Sequence, residues 1–345
     1  MPTVERRRMI GVALGPRDTA AALAALAVVA RVADIAELRL DLMQELDLPR
    51  LLADRPCPVV VTCRPLREGG RYQGTEEDRV ALLREAIRLG VEYVDVELDT
   101  VDQIGERGAT RVIVSSHDYE RMPPDFAGRW RELRAAGGDV VKLVGTAREA
   151  RETVPVLQTL AEADVPTIAI AMGEAGLPTR ILALEYDACL LTYCALETGG
   201  AVAPGQLSVG DLRDVYQAER IGPKMAVYGL LGPHVETERA REYNWGFRAI
   251  DADAIAVPLV VPPDGDAAET VAAFRALDIQ GYHLHPPHQE AVGQALDDLD
   301  PSACRAGKVN AVYARGDRLV GAWVETPAEQ FALWTGREAP FAMTS

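Results

Sequence analysis

The feature that most constrains the fold is a regular alternation of strand and helix patterns over the first two thirds of the chain. Eight strand-like apolar runs occur between residues 9 and 195, and helical patterns fill most of the gaps between them. The clearest helical pattern is Asp78–Leu89, where apolar residues recur on one face. The predicted strands are Met9–Leu14, Ile35–Leu42, Pro58–Cys63, Tyr93–Leu98, Arg111–Ser116, Val140–Val144, Pro166–Met172 and Cys189–Ala195.

Eight strands, each with a possible helix after it, predict an α/β fold of the (β/α)8 type, a TIM barrel over residues 1–222. A doubly wound open sheet is the competing architecture. It would be expected to carry a glycine-rich phosphate turn after an early strand, and none is present. In a barrel, the chemistry is expected at the carboxyl ends of the strands and in the loops that follow them.

A second, smaller α/β domain is predicted for residues 225–335, with a tail at 336–345. The run Met225–Leu231 follows a break in the pattern, and strand and helix patterns then alternate again. The runs Val309–Ala314 and Arg318–Val324 flank a short turn and predict a hairpin.

Charge and cysteine content argue against several kinds of partner and site. A formal net charge of −16 argues against nucleic acid and against an anionic membrane surface. The five cysteines include no CxxC pair and no Cys/His cluster with zinc spacing. The alanine-rich run 20–30 is too short to span a bilayer and predicts a barrel helix rather than a signal peptide. We therefore expect a cytoplasmic protein that binds a small molecule.

Charged residues interrupt the predicted strands where burial should exclude them. Glu37 and Arg39 alternate in the second strand, Arg64 and His117 end the third and fifth strands, and Lys142 lies between apolar residues of the sixth. An unpaired charge inside a barrel is costly, so ionisable residues that converge on one mouth are expected to act together. Each of them alone could be a buried ion pair or a solvated loop charge, and the alternating Asp95 and Glu97 could equally be structural.

Lys142 and His117 together suggest amine chemistry. A buried lysine tends to lose its proton, and imine formation requires a neutral amine. A lone histidine is usually a satisfied loop residue, but its place one strand before the lysine favours acid–base work. These residues predict a barrel enzyme with an amine nucleophile, a histidine base and arginines for an anion, and they do not identify a substrate.

In the same regions the sequence resembles type I 3-dehydroquinate dehydratase of the shikimate pathway. The matching motifs occur in family order over roughly residues 9–220, and the ordered set is specific although each motif alone is weak. They are E-L-R-L-D at 37–41, T-C-R at 62–64 with E-G-G at 68–70, Y-V-D-V-E-L at 93–98, S-S-H-D-Y at 115–119, D-V-V-K at 139–142, M-G at 172–173 with Arg180, and A-P-G-Q at 203–206.

The resemblance implies that Lys142 forms an imine with the C3 ketone of 3-dehydroquinate, that His117 moves the protons and that Glu68 orients His117. It implies a clamp for the substrate carboxylate at Arg180, and neither a metal nor an organic cofactor. We also expect a homodimer. The remaining substrate-binding positions that the resemblance implies are Glu37, Arg39, Arg64, Met172 and Gln206.

Two serines of the family are replaced in this chain. Val202 stands before A-P-G-Q, and Ala171 stands before M-G. The change at Val202 removes a hydroxyl from the loop expected to close over the substrate. We expect weaker binding or altered closure there, without loss of the chemistry.

Residues 225–335 resemble the substrate-binding domain of shikimate dehydrogenase, with Y-G-L-L-G at 228–232 as its opening strand. The position of the catalytic lysine is Gln289, and the aspartate near Gly321 appears as Glu325 in a different context. No nucleotide-binding domain follows before residue 345, so we expect a degenerate domain without dehydrogenase activity. The three histidines at 283, 285 and 288 are interleaved with prolines, which argues against a metal site.

Two alternatives remain open. A non-catalytic sensor or regulatory protein could bind a shikimate-pathway metabolite, but both Lys142 and His117 are present. Another Schiff-base lyase or aldolase could act on a related hydroxylated acid, but the Glu68 loop, Arg180 and Gln206 favour the dehydratase.

Overall fold

The computed structural model describes residues 8–197 and 205–343 and has two compact units. The first unit comprises Met1–Thr146, Pro155–Met172 and Tyr186–Val209, and the second comprises Ala147–Val154, Gly173–Glu185 and Gly210–Ser345. The domain boundaries expected at residues 222–225 and 335 stay a prediction. No helix in the described ranges is long and apolar enough to cross a membrane.

The first unit contains a nearly closed barrel of eight parallel strands, which confirms the fold predicted from the alternation. The strands are β1 (Met9–Leu14), β2 (Ile35–Arg39), β3 (Val59–Thr62), β4 (Tyr93–Glu97), β5 (Arg111–His117), β6 (Val140–Thr146), β7 (Thr167–Met172) and β8 (Leu191–Cys194). They neighbour one another in the order β7-β6-β5-β4-β3-β2-β1-β8. A bridge between Thr167 and Cys189 connects the two ends of this order.

Short polar residues start the helices that connect the strands. The side chains of Asp18, Thr75 and Asp125 each accept a hydrogen bond from a backbone N–H in the first turn of a helix. The alanine-rich run forms the helix predicted for it. The helices along this part of the chain are α1 (Thr19–Val32), α2 (Leu48–Ala53), α3 (Glu76–Arg88), α4 (Phe126–Ala135), α5 (Val154–Glu162), α6 (Leu177–Leu182) and α7 (Val209–Asp214).

One connection departs from the expected pattern of a helix after every strand. Between β4 and β5 the chain forms only a short 3-10 turn, Val101–Gln103. Gly105 and Gly108 follow it with positive φ angles of 74° and 57°. Backbone in this left-handed region cannot continue a helix, which explains why none forms there.

On several strands the inner face of the barrel changes from apolar to charged toward the carboxyl end. Successive side chains of a strand point to opposite faces, so every second residue faces inward. On β4 this row is Tyr93, Asp95 and Glu97, and on β6 it starts with Val140 and Lys142. The apolar members form one buried cluster, and on β2 and β4 two charged residues follow its members toward the carboxyl end. This places the candidate site where barrel enzymes have their chemistry. The buried cluster consists of Ile35, Val60, Tyr93, Ile113, Val140, Val144, Ile168, Ile170, Met172, Leu191 and Tyr193.

The second unit contains a mixed six-stranded sheet, in the order β10-β9-β11-β13-β14-β12. The predicted hairpin is confirmed, because β13 and β14 pair in antiparallel fashion across a two-residue turn. Residues 336–343 carry no helix or strand, but Met343 is buried, so the segment expected to be a tail packs through this side chain. The strands are β9 (Ala226–Gly232), β10 (Ala254–Val260), β11 (Gly281–Leu284), β12 (Asp298–Leu299), β13 (Ala311–Arg315) and β14 (Arg318–Ala322). The helices are α8 (Thr237–Ala249), α9 (Ala267–Phe274), α10 (Gln289–Gln294), α11 (Pro301–Ala306) and α12 (Pro327–Thr335).

Candidate active site

Lys142 lies inside the barrel, in contact with two carboxylates. Its side chain is 5% exposed, and its Nζ lies 2.8 Å from Oδ2 of Asp95 and 3.2 Å from both carboxylate oxygens of Glu37. The sequence suggested that burial would leave this amine neutral, which stays a prediction. The structure adds two carboxylates within hydrogen-bond distance of the amine, which are candidates to exchange a proton with it.

Tyr193 on β8 also faces this amine. Its hydroxyl lies 3.5 Å from Nζ of Lys142, and its ring centroid lies 4.9 Å from the same atom. Burial raises the pKa of Tyr193 well above its usual range, and the charge of Glu37 raises it further. The phenol therefore stays protonated as a hydrogen-bond donor beside the amine.

Arg64, two residues after β3, connects the carboxylates of β4. Its Nη2 lies 2.8 Å from Oδ2 of Asp95, and its Nη1 lies 2.6 Å from Oε1 of Glu97 and 2.8 Å from the Ser115 hydroxyl. Burial alone would raise the pKa of Asp95, but the charges of Arg64 and Lys142 outweigh it and hold this pKa well below its usual range. Asp95 therefore stays ionised.

Six buried side chains form what we call the buried ion network: Lys142, Arg64, Arg79, Glu37, Asp95 and Glu97. Contacts of 2.5 to 3.2 Å connect its three cations to its three carboxylates. All six residues are less than 5% exposed. Because the charges balance, the desolvation cost of each group is offset by its partners, and removal of one member leaves an uncompensated buried charge.

Arg39 is paired with Asp41, which was not predicted from the sequence. Nε and Nη2 of Arg39 lie 2.8 Å from the two carboxylate oxygens of Asp41, in bidentate geometry. Asp41 also accepts hydrogen bonds from the backbone N–H groups of Arg64 and Arg71. The pair therefore fixes the loop that begins at Arg64, as well as the Arg39 guanidinium.

His117, at the end of β5, contacts Glu68, and the orienting role that the family resemblance implies for Glu68 stays a prediction. Its Nδ1 lies 3.0 Å from Oε2 of Glu68, and both side chains are largely buried. His117 follows Ser115 by two residues, and Ser115 is the neighbour of Lys142 across the sheet. His117 and Lys142 therefore project to the same inner face from adjacent strands.

Burial shifts the two groups of this pair in opposite directions. It raises the pKa of Glu68 to about 7, although the nearby Arg64 opposes the rise. It lowers the pKa of His117 well below its usual range, and the charges of Arg64 and Lys142 lower it further. The imidazole is therefore neutral near pH 7, and the protonation of Glu68 decides which ring nitrogen carries the hydrogen.

The two glycines after Glu68 make a close approach possible. Gly69 has a φ of 73°, and a Cβ there would lie 2.4 Å from the ring of Tyr119. A Cβ on Gly70 would lie 2.0 Å from the backbone oxygen of Arg64. The glycines thus hold the turn that carries Glu68 against both Arg64 and the loop after His117. A cleft of about 640 Å³ borders the pair and is also lined by Ser116 and Arg129.

Three predicted site residues lie in other segments. Met172 is the last residue of β7 and is buried, and Arg180 is buried within α6 of the second unit. Gln206 is half-buried beside Leu207, whose carbonyl accepts a hydrogen bond from the N–H of Ala195. The roles expected for these three residues stay predictions. Val202 lies outside the described residues, and Ala171 is fully buried in β7.

Four side chains that contact the site were not predicted from the sequence: Tyr193, Ser115, Asp41 and Arg79. The two-residue period of the strands could have identified Ser115, because it shares the inward row of β5 with His117, whereas no residue of β8 had been selected that would point to Tyr193. Asp41 falls in a 3-10 turn, and Arg79 falls in a helix rich in charges. No periodic signal distinguishes either of them from a solvated residue.

The three histidines of the second unit have separate partners. Nδ1 of His285 lies 3.1 Å from Glu236, His283 contacts Gln330, and Nε2 of His288 lies 2.9 Å from the backbone oxygen of Val261. Within residues 8–197 and 205–343, no group of three His, Cys, Asp or Glu side chains could hold a metal ion.

Known proteins match this chain over its barrel region, and some of them also match residues beyond it. A family model described as type I 3-dehydroquinase matches residues 10–223. The bifunctional 3-dehydroquinate dehydratase/shikimate dehydrogenase of Arabidopsis thaliana is 35% identical over 296 residues, which cover 82% of this chain and 48% of that protein. The chain therefore spans about half the length of this relative. The 3-dehydroquinate dehydratase of Desulfotalea psychrophila is 34% identical over 222 residues, 61% of this chain and 97% of that protein.

A solved structure matches nearly the whole chain. It is described as the dehydroquinate dehydratase and shikimate dehydrogenase from S. pombe AroM, and it is 21% identical with a TM-score of 0.52. The match covers 92% of this chain and 65% of the solved one. At this identity the likeness concerns the fold.

Proposed function

Because the chain belongs to the type I 3-dehydroquinate dehydratase family, we propose that it removes water from 3-dehydroquinate to give 3-dehydroshikimate, with an imine on Lys142. The observation that supports this most directly is the buried Lys142 amine, held by Asp95 and Glu37 beside the His117–Glu68 pair. The roles of Arg180 as carboxylate clamp and of Met172 and Gln206 as substrate contacts are part of the same proposal.

The first half of the reaction requires a neutral amine. Asp95 shares its contacting oxygen with Arg64, whereas both carboxylate oxygens of Glu37 lie 3.2 Å from Nζ, so we assign Glu37 as the acceptor for the proton of Lys142. Glu37 also accepts a hydrogen bond of 2.7 Å from the Thr62 hydroxyl, which keeps its carboxylate directed inward. The free amine then attacks the C3 ketone, and loss of water from the adduct gives the imine.

The second half is a proton transfer. The imine withdraws electrons from the adjacent C2 position, so that His117 can take a C2 proton as a general base. Elimination then forms the C1–C2 double bond, and the protonated His117 gives its proton to the departing C1 hydroxyl. Water hydrolyses the imine and restores the lysine amine. The sum is one ketone substrate converted to an enone and one water.

Incubation of the purified chain with 3-dehydroquinate tests the proposal. We expect ultraviolet absorbance of the conjugated enone to grow with time. Absence of any new absorbance at substrate saturation would contradict it and would favour the sensor hypothesis.

The pH dependence of kcat/KM should follow the ionisation of the Glu68 carboxyl group. Above about pH 7 the ionised Glu68 accepts the hydrogen of His117 Nδ1, which leaves Nε2 free to take a proton. Below it, protonated Glu68 donates to Nδ1, and the ring hydrogen then lies on Nε2. We therefore expect kcat/KM to rise through pH 7 in the native enzyme and to lose this rise in Glu68→Gln. A rise that persists unchanged in the variant would assign it to another group.

For the second unit we propose no dehydrogenase activity, although the Arabidopsis relative is named as bifunctional. Where the resemblance expects a lysine, the Gln289 amide instead donates to the Leu284 carbonyl at 3.0 Å. Glu325 accepts a hydrogen bond of 3.0 Å from the Trp323 indole. An amide cannot exchange a proton with a hydroxyl as a lysine amine can.

The expected result is no shikimate oxidation with NADP above background, measured by nicotinamide absorbance. An authentic shikimate dehydrogenase serves as the positive control. Turnover by this chain that Gln289→Ala abolishes would overturn the proposal. The homodimer and the cytoplasmic location stay predictions.

A further inference from the structure

Arg79 lies in the interior of the first unit, where its guanidinium group makes hydrogen bonds through all of its nitrogen atoms. The side chain is fully buried on α3. Its Nη1 lies 2.8 Å from the Cys63 carbonyl and 2.5 Å from Oε2 of Glu97. Its Nη2 contacts Glu76 at 2.6 Å and the Thr100 hydroxyl at 3.0 Å, and its Nε contacts Glu76 at 3.0 Å. All five N–H donors of the side chain have an acceptor.

The two contacts of Nη1 fix Arg64 at both ends. Cys63 supplies the carbonyl of the peptide immediately before Arg64, so this contact fixes the backbone from which Arg64 projects. Glu97 binds Arg79 with one carboxylate oxygen and Nη1 of Arg64 with the other, at 2.6 Å. Arg79 does not contact Lys142, His117 or Glu68 directly, so its contacts connect it to the catalytic groups through Arg64.

We propose that Arg79 is a positioning residue for the dehydratase reaction, and that it holds the Arg64 guanidinium between Asp95 and Glu68 through Cys63 and Glu97. The inference rests on the proposed function. Arg64 lies 3.8 Å from Glu68 and 2.8 Å from Asp95, which in turn binds the Lys142 amine. A displacement of Arg64 therefore changes the surroundings of the catalytic pair and of the lysine together.

Loss of Arg79 should make the surroundings of Glu68 more negative. One buried positive charge disappears, and Glu97 keeps only Arg64 as its cation, which draws Arg64 away from Glu68. Both changes favour the protonated form of Glu68. The charged groups that act on the Glu68–His117 pair are Arg64, Lys142, Asp95, Glu97, Arg39 and Asp99.

The first test is the pH profile of kcat/KM for Arg79→Met, Arg79→Lys and the control Arg84→Met. Arg84 lies on the same helix and contacts the carbonyl of Gln103 near the surface. We expect the midpoint near pH 7 to move up by about one unit in Arg79→Met, equal to about a tenfold loss on the acidic side. Arg79→Lys should recover most of this shift, and Arg84→Met should show the native profile. A uniform loss of activity with an unchanged midpoint would mean that Arg79 is merely structural, and would overturn the proposal.

Two further measurements keep the proposal testable if Arg79→Met does not fold or if the native chain is inactive. Glu97→Gln removes a negative charge near Glu68 and should move the midpoint down, so it tests the proposal if Arg79→Met does not fold. The pH titration of the His117 imidazole signals by NMR needs no turnover, and the His117→Asn spectrum assigns them among the five histidines. If the native chain is inactive toward 3-dehydroquinate, the proposed function fails, while the NMR midpoint still tests Arg79. An NMR midpoint that is the same in Arg79→Met and native protein would overturn the inference.

Discussion

Replacement of Lys142 by methionine should abolish turnover of 3-dehydroquinate, with a loss of about 10⁴-fold or more in kcat, because the thioether cannot form an imine. Sodium borohydride reduces an imine to a stable amine. We therefore expect the native chain, treated with substrate and borohydride, to gain the mass of the reduced adduct on the peptide that contains Lys142. The variant should gain none.

The small number of lysines in the chain makes it straightforward to assign the residue that carries the adduct. It has only three lysines, at positions 142, 224 and 308, and both Lys224 and Lys308 are exposed. A variant with Lys224→Arg and Lys308→Arg should keep the adduct and the activity. An adduct on either exposed lysine of the native chain, with none on Lys142, would contradict the assignment.

The loss of stability in Lys142→Met must be separated from the loss of chemistry. The substitution removes one of three cations from the buried ion network and leaves Asp95 and Glu37 with too little positive charge. The double variant Lys142→Met with Glu37→Gln restores the balance of charge. We expect it to regain part of the melting temperature lost by the single variant and to regain no activity. Recovery of turnover in the double variant would show that the amine is dispensable.

His117→Asn should lower kcat by about 10² to 10⁴-fold, the usual contribution of a positioned general base. Asparagine can still hydrogen-bond with Glu68, so the turn that carries Glu68 should remain in place. Formation of the imine uses Lys142 rather than the imidazole, so borohydride should still trap an adduct in this variant. This combination distinguishes a proton-transfer residue from a binding residue.

Exchange of the substrate C2 proton with deuterated solvent gives a direct measurement for the same variant. We expect exchange in the native enzyme and none above background in His117→Asn. Unchanged turnover and exchange would assign the proton transfer to another group.

The barrel and its inward rows are predictable from the sequence because both follow from a period of two residues. Glu37, Asp95 and Lys142 stand on such rows, and their charges within otherwise apolar strands mark them as unusual in the sequence itself. The pairing of His117 with Glu68 came from the family resemblance rather than from periodicity, since Glu68 lies in a loop. Its geometry depends on two glycines whose close contacts appear only in three dimensions.

Other features could not be predicted from the sequence, for identifiable reasons. Arg79 and Asp41 become buried through contacts between segments distant in the chain, and their local sequence is that of exposed residues. The expected helix after β4 is replaced by a turn because two glycines adopt positive φ angles. The contacts of Lys142 with Asp95 and Glu37 join strands that are not neighbours in the sheet, so the sequence alone did not predict them.

The apolar and the charged residues of the barrel's inner face have different roles, so they should tolerate different substitutions. On β2 and β4 the apolar start of the inward row stabilises the closed sheet, and the charged residues that follow it belong to the candidate site. Substitutions among the charged inward residues can change which reaction occurs without unfolding the barrel, provided that cations and carboxylates are replaced together so that the buried charge stays balanced. This chain is therefore a suitable starting scaffold for laboratory evolution of other amine-dependent eliminations, with libraries confined to the charged inward residues and the apolar cluster left unchanged.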